Sequence, residues 1–236
     1  QAYPLGTVYN TGDGILMGIE VGADLWHMDA LSGPWICTKM PGTERVFHPN
    51  YFLQRITEAG NCIYVGGDSK RFMNESGACR HGHVNIGGTW MSQPLPDVMW
   101  AVMDSTARNG GGSIDFVPEE ELVEASTIAE LADAIGLDAA TLVATVERWN
   151  EDVAAGADPR FERLPVTLAP IETAPFYAVR LWPGCVNAQG GPKRNVRCEV
   201  LNTRGEVIPH LYSAGELGSF WAGVYMCGGN IAETVY

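Results

Sequence analysis

The sequence predicts an α+β fold in which a helical module is inserted between two strand-rich pieces. Two amphipathic helices with clear capping signals occupy the middle of the chain, at about 127–153. Short apolar runs bounded by glycine-rich turns, which are typical of strands, lie on both sides of them. Of the 236 residues, 46% are hydrophobic, so the chain can bury a substantial core. The residue pattern places the limits of the inserted module near Gly42 and Pro175.

The first strand-rich piece begins with a short apolar helix at 15–21, which Gly22 is placed to end. The segment 31–60 contains three prolines and no sustained period, so we expect irregular chain there. Two strands are predicted after it, at 63–65 and 98–103. The second is a run of six apolar residues between two aspartates, which indicates a buried strand.

The inserted module carries the clearest helices. Thr127 and Glu130 form a capping box, and Gly136 is placed to end the first helix. Asp138 caps a second helix whose apolar residues recur at steps of four, three and four. These residues are Leu142, Val146, Trp149 and Val153. The two helices therefore predict an αα-hairpin with one buried face.

Strands return after Pro175. The predicted strands are 176–181, 199–201, 207–208 and 211–215. The chain then closes on Gly228, Gly229 and Asn230, a run that is typical of a helix start.

Composition excludes several classes of partner. Acidic residues outnumber basic ones by 28 to 15, and the net charge of −13 would repel a phosphate backbone, so we expect no nucleic-acid partner. No stretch approaches the roughly 18 consecutive apolar residues that a membrane span requires. With no targeting segment evident, the sequence predicts a cytoplasmic protein. His81 and His83 would share one face of a strand, but without a third ligand no metal site is predicted.

Two carboxylates beside glycine-rich turns are candidate ligand contacts. Asp13 lies in a Gly-Asp-Gly turn directly before the first helix, where main-chain donors favour an acceptor-rich ligand; the alternative is an ordinary helix N-cap. Glu216 follows a β-rich run and precedes a loop that leads to Gly228, where glycines allow close approach to a flat ligand. The alternative for Glu216 is a solvated loop position.

The segment 208–216 followed by 228–230 resembles the C-terminal signature of FAD-dependent fumarate reductase and 3-ketosteroid dehydrogenase-type flavoproteins. Three further segments agree in order. The segment 10–14 is similar to the family's TGDG turn, 71–75 to its RFxNE segment, and 190–191 to its paired glycines. The resemblance spans nearly the whole chain.

This resemblance implies that the strand-rich pieces, 1–30 and 176–236, belong to an FAD-binding (Rossmann-like) domain, and that 31–175 is a capping (substrate) domain inserted between them. The family's GxGxxG motif, which holds the FAD pyrophosphate, is absent. The sequence therefore predicts an incomplete FAD-binding domain and the C-terminal half of a longer flavoprotein. The missing N-terminal half or a complementary chain would complete it.

By resemblance, FAD would be contacted by residues of the first turn, the Glu216 loop and the last helix start. These are Asp13, Glu216, Gly229, Asn230, Ile231 and Ala232. Main-chain N–H groups of that helix start would favour the anionic reduced flavin. The basic residues after the glycine pair, Lys193, Arg194 and Arg197, are either FAD or substrate contacts or ordinary exposed bases.

The segment 104–108 resembles the one that carries the family's catalytic arginine, which implies that Arg108 donates a proton beside the substrate. An arginine needs a proton relay for that role, and Glu75 and Arg80 could supply one. The alternative for Arg108 is a surface salt bridge. Tyr225 would hydrogen-bond a substrate carbonyl, as a tyrosine does in the ketosteroid dehydrogenase branch; the alternative is a buried structural tyrosine.

The histidines and arginine with which fumarate reductases hold substrate carboxylates are replaced at three places, within 186–189, 225–227 and 33–34. Because a dicarboxylate needs paired cationic donors, fumarate and succinate are poor candidates. The resemblance then predicts an FAD-dependent oxidoreductase that reduces or forms a C=C bond next to the carbonyl of a small enone-like molecule. The alternative is a non-catalytic flavoprotein-derived module or one half of a split enzyme.

Overall fold

A computed structural model describes residues 3–5, 9–39, 46–47, 61–75, 82–109, 119–221, 225 and 228–235, with the main chain alone at 46, 47, 108, 109 and 119. The chain divides into two compact units. Unit 1 comprises Gln1–Trp35, Cys79–Gln93 and Pro183–Tyr236, and unit 2 comprises Ile36–Ala78 and Pro94–Trp182.

The described α-helices are α1 (Asp13–Glu20), α2 (Ser105–Asn109), α3 (Ile128–Ile135), α4 (Ala139–Ala154) and α5 (Gly229–Val235). Short 3₁₀ turns lie at Glu119–Glu121 and Pro165–Thr167. The described strands are β1 (Tyr3–Pro4), β2 (Leu25–Trp26), β3 (Leu31–Ser32), β4 (Trp35–Lys39), β5 (Val46–Phe47), β6 (Cys62–Gly66), β7 (His83–Ile86), β8 (Thr89–Ser92), β9 (Met99–Asp104), β10 (Leu122–Ala125), β11 (Phe176–Cys185), β12 (Asn187–Ala188), β13 (Gly191–Pro192), β14 (Glu199–Leu201) and β15 (Val207–Tyr212).

Unit 2 is organised around a sheet with the strand order β5-β4-β11-β9-β6, and β10 pairs with the first half of β11. The pairs β6–β9, β9–β11 and β10–β11 are all antiparallel. Alternate residues of the central strands enter two separate apolar clusters, one on each face of the sheet. For example, Met103 belongs to one cluster and Val102 to the other. Burial on both faces explains why 98–103 is an unbroken apolar run.

The predicted αα-hairpin is present and covers one of those faces. The Glu130 N–H donates to the Thr127 hydroxyl (3.1 Å), and the Thr141 N–H donates to the Asp138 carboxylate (2.8 Å). Gly136 ends α3 in the left-handed conformation, at φ 72°. The apolar face of α4 packs on the sheet through Leu142, Val146 and Trp149, which are buried, while Val153 is half-buried. The capping signals in the sequence therefore predicted both helices correctly.

Unit 1 consists of α1, α5 and four two-stranded sheets, β12–β3, β13–β2, β14–β15 and β7–β8. In addition, β1 pairs in parallel with the last residues of β11. Gly18 lets α1 lie against β13, because a Cβ at this position would come within 2.7 Å of the Pro192 side chain. The mixture of sheets with few helices confirms the α+β class and is consistent with a FAD-binding domain.

Two local predictions were wrong. The described part of the segment 31–60 contains strands β3, β4 and β5, because the pairing of β3 with β12 and of β4 with β11 overrides the breaking effect of its prolines. The rest of this segment, 40–45 and 48–60, lies outside the described residues. The predicted strands 207–208 and 211–215 are one strand, β15, which ends at Tyr212. Pro209 is tolerated inside it because, among the described strands, β15 pairs on one side alone, with β14.

Candidate functional site

Unit 1 contains a cavity of about 490 Å³, a size typical of small-molecule sites. The lining residues come from the segment after β11, the loop after β15 and helix α5. They are Val186, Asn187, Glu216, Tyr225, Gly228, Asn230, Ile231 and Thr234. Glu216, Asn230 and Ile231 were predicted as FAD contacts, and Tyr225 as a catalytic group. Residues predicted to contact FAD and a residue predicted to act in catalysis therefore line the same cavity.

Glu216 forms one wall of the cavity and is held by the neighbouring strand. The Ala188 N–H donates to one carboxylate oxygen (3.0 Å), and the Asn187 side-chain amide donates to the other (3.1 Å). The side chain is half-buried, so Glu216 is not a freely solvated loop residue. Its carboxylate is fixed in place by β12, which supplies both donors.

Helix α5 forms the opposite wall. Gly229 and Asn230 are buried, whereas Ile231 and Ala232 are exposed. A Cβ at Gly229 would come within 2.3 Å of the Trp221 indole nitrogen, so only glycine permits this packing. Of the four residues predicted from this helix, Asn230 and Ile231 line the cavity, and Gly229 and Ala232 do not.

Two buried amide atoms near the cavity have no hydrogen-bond partner in the described part of the chain. One is the Asn187 Oδ1 acceptor and the other is the Asn230 Nδ2 donor. Leaving such groups unpaired costs about 1–3 kcal/mol each, so a polar ligand that pairs with them would be stabilised. The pyrimidine edge of a flavin carries both an N–H donor and carbonyl acceptors. The residues of this cavity therefore fit a flavin ring.

Tyr225 lies in the same cavity and is only 9% exposed. A phenolic hydroxyl can donate to a carbonyl oxygen, which suits the predicted role. Among the described residues, the cavity lining contains a single carboxylate, Glu216, and no lysine, arginine or histidine.

Asp13 is the first residue of α1 and is exposed, and it lies outside the cavity lining. The N-cap position belongs to Gly12, which is left-handed at φ 88° and makes no side-chain capping bond. The Thr11 hydroxyl donates to the Asp13 carboxylate (2.9 Å). Asp13 is therefore not the ordinary N-cap that was its alternative.

Glu75 lies in unit 2, in a buried ionic network. It accepts two hydrogen bonds from Arg71 (2.8 and 2.7 Å), one from Arg163 (3.2 Å) and one from the Tyr64 N–H (3.1 Å). Arg71 also donates to Asp158 (2.8 Å). Burial alone would lower the pKa of the Arg71 guanidinium, but the hydrogen bonds and charges of Glu75 and Asp158 outweigh it and raise that pKa.

Arg108 lies in helix α2, directly after β9, and only its main chain is described. Arg80 lies outside the described residues. Asp104 fixes the start of α2, because its carboxylate accepts from the N–H groups of Thr106, Glu172 and Thr173 at 3.0–3.1 Å. The main chain that carries Arg108 is therefore anchored to the segment before β11.

Arg194 is the site residue whose role the sequence did not distinguish. Lys193 and Arg197 form partly exposed ion pairs with Asp24 and Glu199, whereas the Arg194 side chain is buried and contacts the Glu216 loop and α5. Nothing in the local sequence separates the three basic residues. Only the tertiary fold shows which of them points inward.

In the part of the chain that the structure describes, no helix is long and apolar enough to cross a membrane. No cluster of three or more potential metal ligands occurs among these residues.

Residues 1–231 match the FAD binding domain family. The chain belongs to this family, as the sequence resemblance predicted, and the cofactor of the family is FAD.

Among its relatives is the 3-oxosteroid 1-dehydrogenase of Mycolicibacterium smegmatis, 31% identical over 92% of this chain and 42% of that protein. The digoxin reductase of Eggerthella lenta is 29% identical over 96% of this chain and 43% of its own length. The structure of the open conformation of a flavocytochrome c3 fumarate reductase aligns over all of this chain and 40% of that chain, with 25% identity and a TM-score of 0.71. The chain thus spans less than half the length of these proteins, which are named as oxidoreductases.

Proposed function

We propose that this chain is the flavin- and substrate-binding part of an FAD-dependent oxidoreductase that reduces or forms a C=C bond next to a carbonyl. The observation that carries the proposal is the convergence of Glu216, Asn230, Ile231 and Tyr225 on one cavity. Three of these residues were predicted to contact FAD, and the fourth to contact the substrate carbonyl. The relatives' names, a steroid dehydrogenase and a digoxin reductase, are consistent with this chemistry.

We assign the segments 1–30 and 176–236 to the FAD domain and 31–175 to the capping domain. Unit 1 holds most of the first two segments and unit 2 most of the third. The cavity lies within unit 1, as a flavin site in the FAD domain requires. The segment Cys79–Gln93, which the sequence assigned to the capping domain, is part of unit 1 and extends the proposed FAD domain.

In this proposal Glu216, Asn187 and Asn230 hold the flavin ring by hydrogen bonds. FAD, when bound, would supply the hydride chemistry at one carbon of the substrate. The Tyr225 hydroxyl donates a hydrogen bond to the substrate carbonyl, which polarises the adjacent C–C bond. Arg108 transfers the proton at the second carbon, and Glu75 and Arg80 form its relay.

The substrate class follows from the charge of the cavity. A dicarboxylate such as fumarate would add two negative charges beside Glu216, and no cationic side chain of the described part of the chain lines the cavity to balance them. A neutral enone or its saturated ketone avoids this repulsion. We therefore propose a neutral, carbonyl-bearing substrate in place of fumarate or succinate.

The test is turnover of the FAD-loaded protein on a panel of neutral enones and saturated ketones, with a redox dye as electron donor or acceptor. Tyr225→Phe is expected to lower kcat/KM about 100-fold, because one donor to the carbonyl oxygen is lost. Tyr212→Phe, an exposed position outside the cavity, is the matched control and should be unchanged. Equal rates for the wild type and Tyr225→Phe would remove Tyr225 from the mechanism.

Arg108→Ala tests the proton transfer separately. Loss of a general acid should lower kcat by at least about 100-fold while FAD binding is retained. Wild-type turnover in Arg108→Ala would exclude this role. FAD binding without turnover on any enone would instead favour the non-catalytic module.

The cytoplasmic location expected from the sequence remains a prediction, which fractionation of the native cells would test.

A further inference from the structure

We propose that the buried pair Arg194–Glu233 is a positioning device that locks the two walls of the cavity to each other. The inference rests on the proposed function, in that these walls are the proposed flavin site. It concerns residues that do not line the cavity themselves. One wall is the loop that carries Glu216, and the other is helix α5.

Arg194 fixes the first wall by binding the main chain on both sides of Glu216. Its guanidinium donates to the Gly215 carbonyl (3.1 Å) and to the Leu217 carbonyl (2.9 Å). The residue is 2% exposed, and its guanidinium lies 4.9 Å from the centre of the Phe220 ring. Two contacts on the immediate neighbours of Glu216 leave the main chain at that residue little freedom.

The same guanidinium forms an ion pair with Glu233, which lies on α5 between the cavity-lining residues Asn230 and Thr234. The Glu233 carboxylate also accepts from the Ser219 hydroxyl (2.7 Å) and from the Phe220 N–H (3.2 Å). Helix α5 is therefore tied through one carboxylate to Arg194 and to the end of the Glu216 loop.

Two further side chains of unit 1, those of Trp26 and His27, contact the next two main-chain carbonyls of this loop. The Trp26 indole donates to the Gly218 carbonyl (3.0 Å), and His27 Nδ1 lies 2.7 Å from the Ser219 carbonyl. The two rings stack at a centroid distance of 4.5 Å. His27 has a φ of 54°, a strained conformation for a residue other than glycine, which is found more often where a site needs a fixed geometry.

The experiment compares Arg194→Met, Arg194→Lys and Glu233→Gln with the wild type. Hydrogen exchange of main-chain amides reports the order of the two walls, 213–221 and 229–235, without any ligand. Titration with FAD of the protein completed by its predicted N-terminal half then reports the affinity of the cavity for FAD. Arg194→Met and Glu233→Gln should each speed exchange in both walls together and raise the Kd for FAD about tenfold or more. Arg194→Lys, which keeps the charge opposite Glu233, should be intermediate.

Two control variants separate positioning from general loss of stability. Lys193→Met removes the neighbouring base, whose pair with Asp24 lies at the surface, and should leave both readouts unchanged. Val146→Ala opens the core of unit 2 and should lower Tm without speeding exchange in either wall. If Arg194→Met does not fold, the nearly isosteric Glu233→Gln carries the test.

The proposal is overturned if folded Arg194→Met or Glu233→Gln leaves exchange in 229–235 at the wild-type rate, or loosens one wall alone. A wild-type protein that binds no FAD, but whose walls loosen together in these variants, would contradict the proposed function and leave the coupling of the walls standing.

Discussion

At the scale of single residues, the buried charges of unit 2 have the largest expected effects on stability. The carboxylates of Glu75 and Asp158 and the guanidinium groups of Arg71 and Arg163 are all at most 4% exposed. Trp149 lies against both guanidinium groups, with centroid distances of 4.6 and 4.9 Å. Removal of any one charge therefore leaves the network with an uncompensated charge in an apolar setting.

Replacement of Arg163 by Met should lower the free energy of unfolding by about 3–5 kcal/mol, because Glu75 loses a partner and the Cys62 carbonyl loses its donor (2.7 Å). Urea denaturation of the isolated protein measures the change. Arg204→Met, which breaks an exposed pair with Glu206, should change it by less than about 1 kcal/mol. Similar losses in the two variants would contradict the structural role assigned to the buried network.

Asp158 gives a pH-dependent prediction. Burial alone would raise the pKa of its carboxyl, but the hydrogen bond and charge of Arg71 and the N–H donors of Phe161 and Arg160 lower it below the ordinary 3.8. The stabilisation is therefore complete above the unfolded-state pKa and is lost as the pH falls towards the folded-state pKa. The stability difference between the wild type and Asp158→Asn should be constant at about pH 5–7 and shrink below about pH 4. Urea denaturation across this pH range measures the difference. A difference that grows on acidification would contradict a lowered pKa of Asp158 in the folded protein.

Sequence reasoning found the cavity residues whose types and neighbours are distinctive, such as Glu216 beside glycines and Tyr225 before a helix start. It named Arg194 together with Lys193 and Arg197 but could not single it out, because a buried arginine and an exposed one look alike in the sequence. It also could not foresee that Asn187 and Asn230 would face one cavity, since 43 positions separate them and only folding brings them together.

At the scale of elements, local capping chemistry defines the helical hairpin. Thr127→Ala removes the acceptor for the Glu130 N–H and should cost about 1 kcal/mol. Urea denaturation measures the loss. Glu147→Ala, at an exposed position of α4, is the matched control and should stay within about 0.5 kcal/mol of the wild type. A cap variant as stable as the control would show that packing alone holds α3.

The elements that sequence reasoning predicted correctly carry local signals. The caps of α3 and α4 and the apolar run of β9 are readable within a few residues. Strands β3 and β4 were missed because they have partners far away in the chain, as with Asn187 opposite Ser32. Pairing of this kind leaves no trace in a local pattern.

At the scale of the whole molecule, the residues to which the proposal assigns a function are distributed over both units. Unit 1 holds the cavity, and unit 2 holds the ionic network and the helix that bears Arg108. The sequence also predicts a division of the chain, because a helical module interrupts two strand-rich pieces, and the domain limits drawn from it stay a prediction. The limits of the cavity could not be predicted, because they depend on contacts between segments nearly 200 residues apart, such as Trp26 and Gly218.

The most direct test of the central claim is a titration with FAD of the protein completed by its predicted N-terminal half, followed by the visible absorption of the flavin. The wild type should bind with saturation and a shifted flavin spectrum. Ile231→Glu places a charge in the cavity at a position that is 71% exposed, so the fold should persist while affinity falls about tenfold or more. Val235→Glu, on the same helix but outside the cavity lining, should bind like the wild type. No binding by the wild type, or equal binding by Ile231→Glu, would contradict the assignment of this cavity to FAD.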